Sequence, residues 1–443
     1  MESKNILRSI HYKDFSNWNV NLYTNNIKLT SKYPLISLSK IITPRKEKIK
    51  NNDYKGEYPI IEKIRFCDGM MFLRKENNPK TDLYLSKLND LLVSNINFEK
   101  GAFCVNKIGD ICTSTDYQPY EINIQINYDY FNLVLRAEKF LAYVKKLKPD
   151  GMKTRARYNF IKIFSIPVPD SIKEQQKLAD EYNETIDKAD AAQKKAEELE
   201  NEIDRYLLDT LGVKKHKDPI INSKILNYYS LKDLSRWDVW TQNSEFVLSQ
   251  YKFKKFSSII IDKPLYGANE KAIKKQSETR YIRITDINED GSLNDEFVTS
   301  TKIEDKYLLE NDDFLIARSG NTVGKTFLYK NNLGKCIFAG YLVRYKLNNR
   351  LVIPEYVLYY TKSSLFKSWI KSNQRIAGQP NINGQEYLNA DIIVPNIDVQ
   401  KQIVATISEM KAKIKDLRQD AETLRQKAKK DFEGAVFGGE SSN

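Results

Sequence analysis

The sequence predicts an α/β-mixed protein with an internal pseudo-two-fold repeat, its two globular domains joined by two long antiparallel coiled-coil helices. Three observations predict it. Segments about 220 positions apart repeat one another, each half closes on a long charged heptad segment, and the stretches before those segments alternate short apolar runs with turn signals.

The repeat is legible in matched segments. KDFSNWNV (13–20) and KDLSRWDV (232–239) lie 219 residues apart, DLLVSN (90–95) and DFLIAR (313–318) lie 223 apart, and Gly101 aligns with Gly324. IPVPDSIKEQQKLA (166–179) matches IIVPNIDVQKQIVA (392–405). A period this long is no solenoid; it is one unit duplicated. The expected limits are residues 1–168 and 214–395 for the globular domains, 169–213 and 396–438 for the long helices, and 439–443 for a tail.

Within the globular parts, Tyr281-Ile-Arg-Ile-Thr and Asp313-Phe-Leu-Ile-Ala read as strands, Asp290-Gly291 and Asn331 to Gly334 as turns, and 354–371 as a helix. In the first long segment, Ser171 to Glu174 reads as a capping box after Pro169. In the second, Asp398 is the candidate cap. Tyr182, Ala189, Ala196 and Ile203 recur at one heptad position, with Thr185, Ala192, Leu199 and Tyr206 at the other. Ile407, Ile414, Ala421 and Ala428 alternate likewise with Met410, Leu417 and Leu424. This spacing predicts a helix–helix seam, and each segment of about 40 residues would span roughly 60 Å.

Composition narrows the function. With 71 Lys+Arg against 58 Asp+Glu the chain carries +13, which points to an anionic partner, nucleic acid first. Residues 1–165 hold 28 basic and 17 acidic residues, whereas residues 166–217 hold 9 and 13, so the charge lies on the globular parts. Four cysteines without C-x-x-C spacing (Cys67, Cys104, Cys112, Cys336) suit reduced, mostly buried thiols in a cytoplasmic protein. Two histidines, His11 and His216, leave no inventory for a histidine metal site or triad. No catalytic or metal-ligating residue is assigned.

The segment Gly320-Asn-Thr-Val-Gly324-Lys325-Thr326 is one residue short of a P-loop, and a strand, rather than the phosphate-facing helix, should follow it. It reads instead as a glycine-hinged polar loop offering Arg318, Ser319, Asn321, Thr322 and Lys325 to phosphates and base edges. Further candidates for DNA contact are Arg45, Lys46, Lys48, Asn95, Asn97, Lys100, Lys153, Arg155, Arg157 and Tyr158 in the first half. In the second half they are Tyr266, Lys271, Arg375, Gln379 and Asn381.

On these residues the chain resembles the specificity subunit of a type I restriction-modification enzyme. The carriers are the two Pro-then-Gln helix openings, RSGNTVGK (318–325), YIRITDINEDGSL (281–293) and GQPNING (378–384). In the first half, TPRKEKI (43–49) and LLVSNINFEKGAF (91–103) resemble another variety of target-recognition domain. The resemblance implies a non-catalytic subunit whose two target-recognition domains each read one half of a bipartite double-stranded DNA target. The helices would set the gap. Two modification (methyltransferase) subunits would bring S-adenosylmethionine, and restriction subunits would bring ATP and Mg. The chain itself would bind no cofactor. A protein-binding scaffold, or a DNA-binding protein without sequence readout, is the competing expectation.

Overall fold

The computed structural model describes residues 29–66, 68–76, 78–147, 158–216, 246–274, 277–374 and 380–438. The KDFSNWNV and KDLSRWDV segments lie outside them, as do Cys67 and His11. The chain forms two compact units, Met1–Ala192 with Gln419–Asn443, and Gln193–Arg418. Both long helices are therefore divided between the units.

Each unit is built on a four-stranded antiparallel sheet with the same strand sequence across it. In the first unit the order is Ile42–Pro44, Tyr117–Ile122, Leu91–Ser94, Phe103–Val105. In the second it is Leu265–Tyr266, Leu342–Lys346, Asp313–Ala317, Thr326–Leu328. The strands Leu91–Ser94 and Asp313–Ala317 are buried throughout, because both faces are covered. Alternate residues point to opposite faces. Leu91 and Val93 thus join one core and Leu92 another, while Phe314 and Ile316 separate in the same way from Leu315 and Ala317.

The turns entering these strands match in detail. Among the described residues the non-glycine positions with positive φ are Asn89 and Asp312, both at 70°. Asn and Asp tolerate that left-handed conformation better than other side chains. The next residue in each case is a buried aspartate whose Oδ2 accepts a backbone N–H three residues back, Lys87 N at 2.8 Å for Asp90 and Glu310 N at 2.8 Å for Asp313.

A second matched device ties each long helix to its unit. A two-stranded ribbon, Leu35–Ser37 with Ser165–Pro167 or Phe253–Lys255 with Asp391–Ile393, runs straight into the helix. Buried Gln175 then accepts from Asn127 N (2.8 Å) and donates to Pro169 O (2.8 Å). Buried Gln400 accepts from Ile353 N (2.8 Å) and donates to Pro395 O (2.9 Å) and Leu351 O (3.0 Å). Asn127 and Ile353 are themselves the N-caps of the helices Tyr128–Arg136 and Pro354–Tyr360. One buried amide therefore satisfies groups at two helix starts, which is why a Gln recurs soon after the proline, six residues on in the first half and five in the second.

The long helices are Ile172–Thr210 and Ile397–Phe437. Ala189, Ala196, Ile407, Ile414, Ala421 and Ala428 are buried, and Tyr182, Ala192, Leu199, Ile203, Met410, Leu417 and Leu424 half-buried, as the heptads require. Within the first unit the helices run antiparallel, with Tyr182 against Phe432 (ring centres 5.9 Å apart) and Asp190 paired to Arg425 (2.8 Å). Within the second, Glu200 pairs with Arg418 (2.6 Å) and Tyr206 Oη donates to Thr406 Oγ1 (3.1 Å).

Three local expectations need correction. The Ser171–Glu174 capping box does not form, because Glu174 Oε1 accepts from Tyr33 Oη instead (3.2 Å). The second long helix is capped by Asn396, whose Oδ1 accepts from Val399 N (2.9 Å), while Asp398 pairs with Lys401. The 354–371 segment is two helices, Pro354–Tyr360 and Ser364–Asn373, because Ser363 Oγ accepts from Phe366 N (3.2 Å) and starts a new one.

Candidate nucleic-acid interface

In the second unit the strand Asp313–Ala317 ends at Arg318, and the loop 318–325 returns into the strand Thr326–Leu328. The strand after the lysine removes any phosphate-binding helix start. The loop makes one turn of 3₁₀ helix, Gly320–Thr322, and is closed by Gly324 (φ 85°), which donates to Ala317 O (3.0 Å). A Cβ there would stand 3.0 Å from Ile370 Cγ1. The segment after Pro380 lies alongside: Gly320 N donates to Pro380 O and Ile382 N to Arg318 O, both at 2.9 Å.

Arg318 is the centre of this surface. Its Nε donates to Gly340 O (3.1 Å), and its guanidinium carbon lies 5.1 Å from the Tyr266 ring centre and 5.8 Å from that of Tyr341. Tyr266 is itself held, since its hydroxyl accepts from Gly384 N (2.9 Å). Tyr266 is 38% and Tyr341 55% exposed, unusual for aromatic rings beside a well-packed sheet. Among the described residues Arg318 makes no ion pair, and its two Nη groups make no hydrogen bond.

The other candidates of this unit divide. Asn321 is exposed, and Thr322 donates its hydroxyl to Ser319 O (2.9 Å). Ser319 Oγ and Asn381 Oδ1 are buried without a hydrogen-bond partner among the described residues, on adjacent backbone segments. Lys325 is turned inward to Glu289 (2.9 Å) and Ile287 O (3.3 Å), so its charge is already matched. Lys271 is exposed beside the strand Ala272–Lys274, in a separate two-stranded sheet. Arg375 and Gln379 lie outside the described residues.

In the first unit the loop 95–102 leaves the equivalent strand, and Gly101 takes φ 84°, close to that of Gly324. The chemistry it presents is different. Asn95 Nδ2 is used internally, donating to Thr115 O (2.9 Å), and Asn97 is half-buried. Ile96 stands 49% exposed, and Lys100 Nζ lies 5.7 Å from the ring centre of the exposed Phe66. Lys46 is exposed, and Lys48 sits over the Tyr84 ring.

Two first-unit candidates are structural. Arg45 donates through Nε and Nη2 to Asp90 (2.6 and 2.9 Å) and pairs with Glu47 and Glu121 (both 3.0 Å). Its partners hold the guanidinium protonated, Asp90 most of all, and leave no fork to present. Tyr158 packs on the core, its ring centre 6.0 Å from that of buried Tyr120. Lys153, Arg155 and Arg157 lie outside the described residues. Sequence reasoning missed Tyr341, Ile96 and Phe66. Nothing in a lone aromatic or apolar residue marks it as exposed, and only the strand ends beside it do so.

Cys104, Cys112 and Cys336 are buried, and burial pushes their thiols up to about 12, 11 and 11. Among the described residues no group of three or more His, Cys, Asp or Glu could hold a metal ion, and no helix is long and apolar enough to cross a membrane.

Residues 267–424 match the family model of the type I restriction modification DNA specificity domain. Over this stretch of its second half the chain is similar to that domain. The specificity domain so defined takes in Arg318, its loop, Tyr341, the 380–384 segment and most of the second long helix. A type I restriction enzyme specificity subunit of Methanocaldococcus jannaschii (MjaVIII) is 29% identical over 137 residues, 31% of either chain. That of Salmonella potsdam (StySPI) is 21% identical over 298 residues, 62% of this chain and 60% of the relative. The matches thus span less than two thirds of these curated relatives. A solved chain from a study of complex assembly and conformational transition of the type I R-M system shares the fold. It is 12% identical with a TM-score of 0.59, over 92% of this chain and 98% of that one.

Proposed function

We propose that the chain is the DNA-sequence-specificity subunit of a type I restriction-modification complex, each unit reading one half of a bipartite target. The observation that carries this is the presentation of unlike chemistry at like positions. Equivalent strands end in equivalent glycine-hinged loops, one offering Arg318 in an aromatic frame and the other Ile96, Asn97 and Lys100. A duplicated scaffold with divergent loops suits an asymmetric split target. A sequence-blind scaffold would not need the loops to differ. The specificity domain and the specificity-subunit relatives support the same reading.

In this reading the chain is non-catalytic and cytoplasmic and binds no cofactor itself. It docks two modification subunits that use S-adenosylmethionine, and restriction subunits that use ATP and Mg join the full complex. The test is to co-express the chain with its cognate modification subunit and map methylated adenines on a plasmid library. A split motif of fixed gap, lost when the chain is omitted, is the expected result. Methylation indifferent to the chain would leave only the scaffold reading.

A further inference from the structure

We infer that Arg318 reads a guanine through the major groove, and that it fixes one base pair of the half-site assigned to the second unit. The inference rests on the specificity-subunit reading and adds the base and the residue.

Guanine presents two acceptors, O6 and N7, to the major groove, and a guanidinium fork meets both at once. That contact needs an arginine with two free donors in one plane, aimed outward and held still. Arg318, half-buried beside two exposed rings, meets the conditions of free donors and of being held on separate observations. Its Nε is anchored on Gly340 O, which fixes the plane of the fork and leaves both Nη groups without a partner among the described residues. Two exposed rings, Tyr266 and Tyr341, flank the guanidinium and limit its rotation. The Tyr266 ring is itself fixed by its hydrogen bond from Gly384 N, and the Tyr341 backbone is tied to the same strand end, its carbonyl accepting from Arg318 N at 2.9 Å. A cation over aromatic faces keeps its charge without a carboxylate that would compete for the donors.

Comparison with other arginines sharpens the point. Arg45 and Arg283 have their forks on Asp90 and Asp286, and Arg344 donates through Nη1 to Leu308 O (3.0 Å) and Asp313 (3.4 Å). Arg280 donates to the carbonyls of Asn294 and Glu296. Those are structural uses. Arg318 alone of these five is held through Nε with neither Nη group partnered among the described residues. The first unit places Asn95 at the position of Arg318, with its Nδ2 used on Thr115 O, and Ile96 and Asn97 after it, so the same contact is not available there.

The test uses the full chain in complex with its modification subunit. The wild-type methylation motif is mapped first, and then that of Arg318→Gln. Each guanine of the wild-type motif is also replaced in turn by 7-deazaguanine, which lacks the N7 acceptor. The expected result is loss of the guanine requirement at one position of one half-site in the variant. At that same position, 7-deazaguanine should weaken wild-type binding roughly tenfold or more, since a bidentate pair discriminates by about that factor. A variant with an unchanged motif, a loss spread over both half-sites, or wild-type binding indifferent to 7-deazaguanine at every position would each overturn the assignment while leaving the specificity reading in place. A wild-type complex with no sequence preference would remove both. The base-analogue arm uses unaltered protein, so poor folding of the variant cannot mimic a positive result.

Discussion

Arg45 holds Asp90 by two hydrogen bonds, and the Asp90 side chain is only 3% exposed, so removal of Arg45 leaves a buried carboxylate unmatched. Arg45→Ala should therefore destabilise the first unit by about 3–5 kcal/mol, read by chemical denaturation, whereas Arg318→Ala should leave stability nearly unchanged. An equal, small effect from both would return Arg45 to the list of presented residues. Buried amides and hydroxyls obey the same logic. Gln400→Leu strips Ile353 N, Leu351 O and Pro395 O of their partner and should cost about 1–3 kcal/mol. Ser319→Ala removes a hydroxyl without a partner among the described residues, so it should be neutral or slightly stabilising in the same assay. None of this is legible in one sequence, where Arg45 and Arg318 look alike. The difference is a carboxylate 45 residues away in one case and two tyrosines in the other.

The two long helices change character along their length. Leu178, Ala179, Phe432, Val436 and Phe437 belong to the first unit's core, and Leu207, Ile403 and Ile407 to the second's. Ala189, Ala196, Ile414 and Ala421 are buried as well, yet they join neither cluster and are covered at the seam. Phe432→Ala, which removes a ring packed on Tyr130 and Tyr182, should thus cost about 3–5 kcal/mol and unfold the first unit early. Half-buried Leu199 and Leu417 changed to Glu should loosen the seam while both units keep their own transitions in a thermal melt. Loss of both units in a single earlier transition would mean the seam is part of one cooperative core. The heptads and the strand at 313–317 were readable because periodicity and an unbroken apolar run survive any tertiary context. The helix break at Thr361–Ser363 and the Asn396 cap were not, since Ser and Asn occupy helices, caps and loops alike until their hydrogen bonds are known.

At the scale of the whole chain, duplication was readable from the spacing of matched segments, and the structure extends it to residues outside those segments. Tyr130 Oη reaches Pro167 O at 2.9 Å as Tyr356 Oη reaches Ile393 O at 2.6 Å, each fastening a short helix to the strand that precedes a long one. What the loops between matched strands present was not readable, because presentation depends on packing by residues distant in sequence. If the proposed function holds, the helices act as a ruler, and their length is a variable that can be changed without touching either recognition surface. One heptad inserted after Ala192 and another before Gln419, where the units divide, keeps the seam in phase, because seven residues restore the same face. The insertion adds about 10.5 Å to each helix at 1.5 Å per residue. At 3.4 Å per base pair this corresponds to roughly three base pairs. Methylation mapping with the modification subunit should then return both wild-type half-sites with the gap lengthened by about three. An insertion of four residues breaks the heptad phase and should lose specific methylation instead. An unchanged gap after the heptad insertion would show that something other than helix length spaces the half-sites.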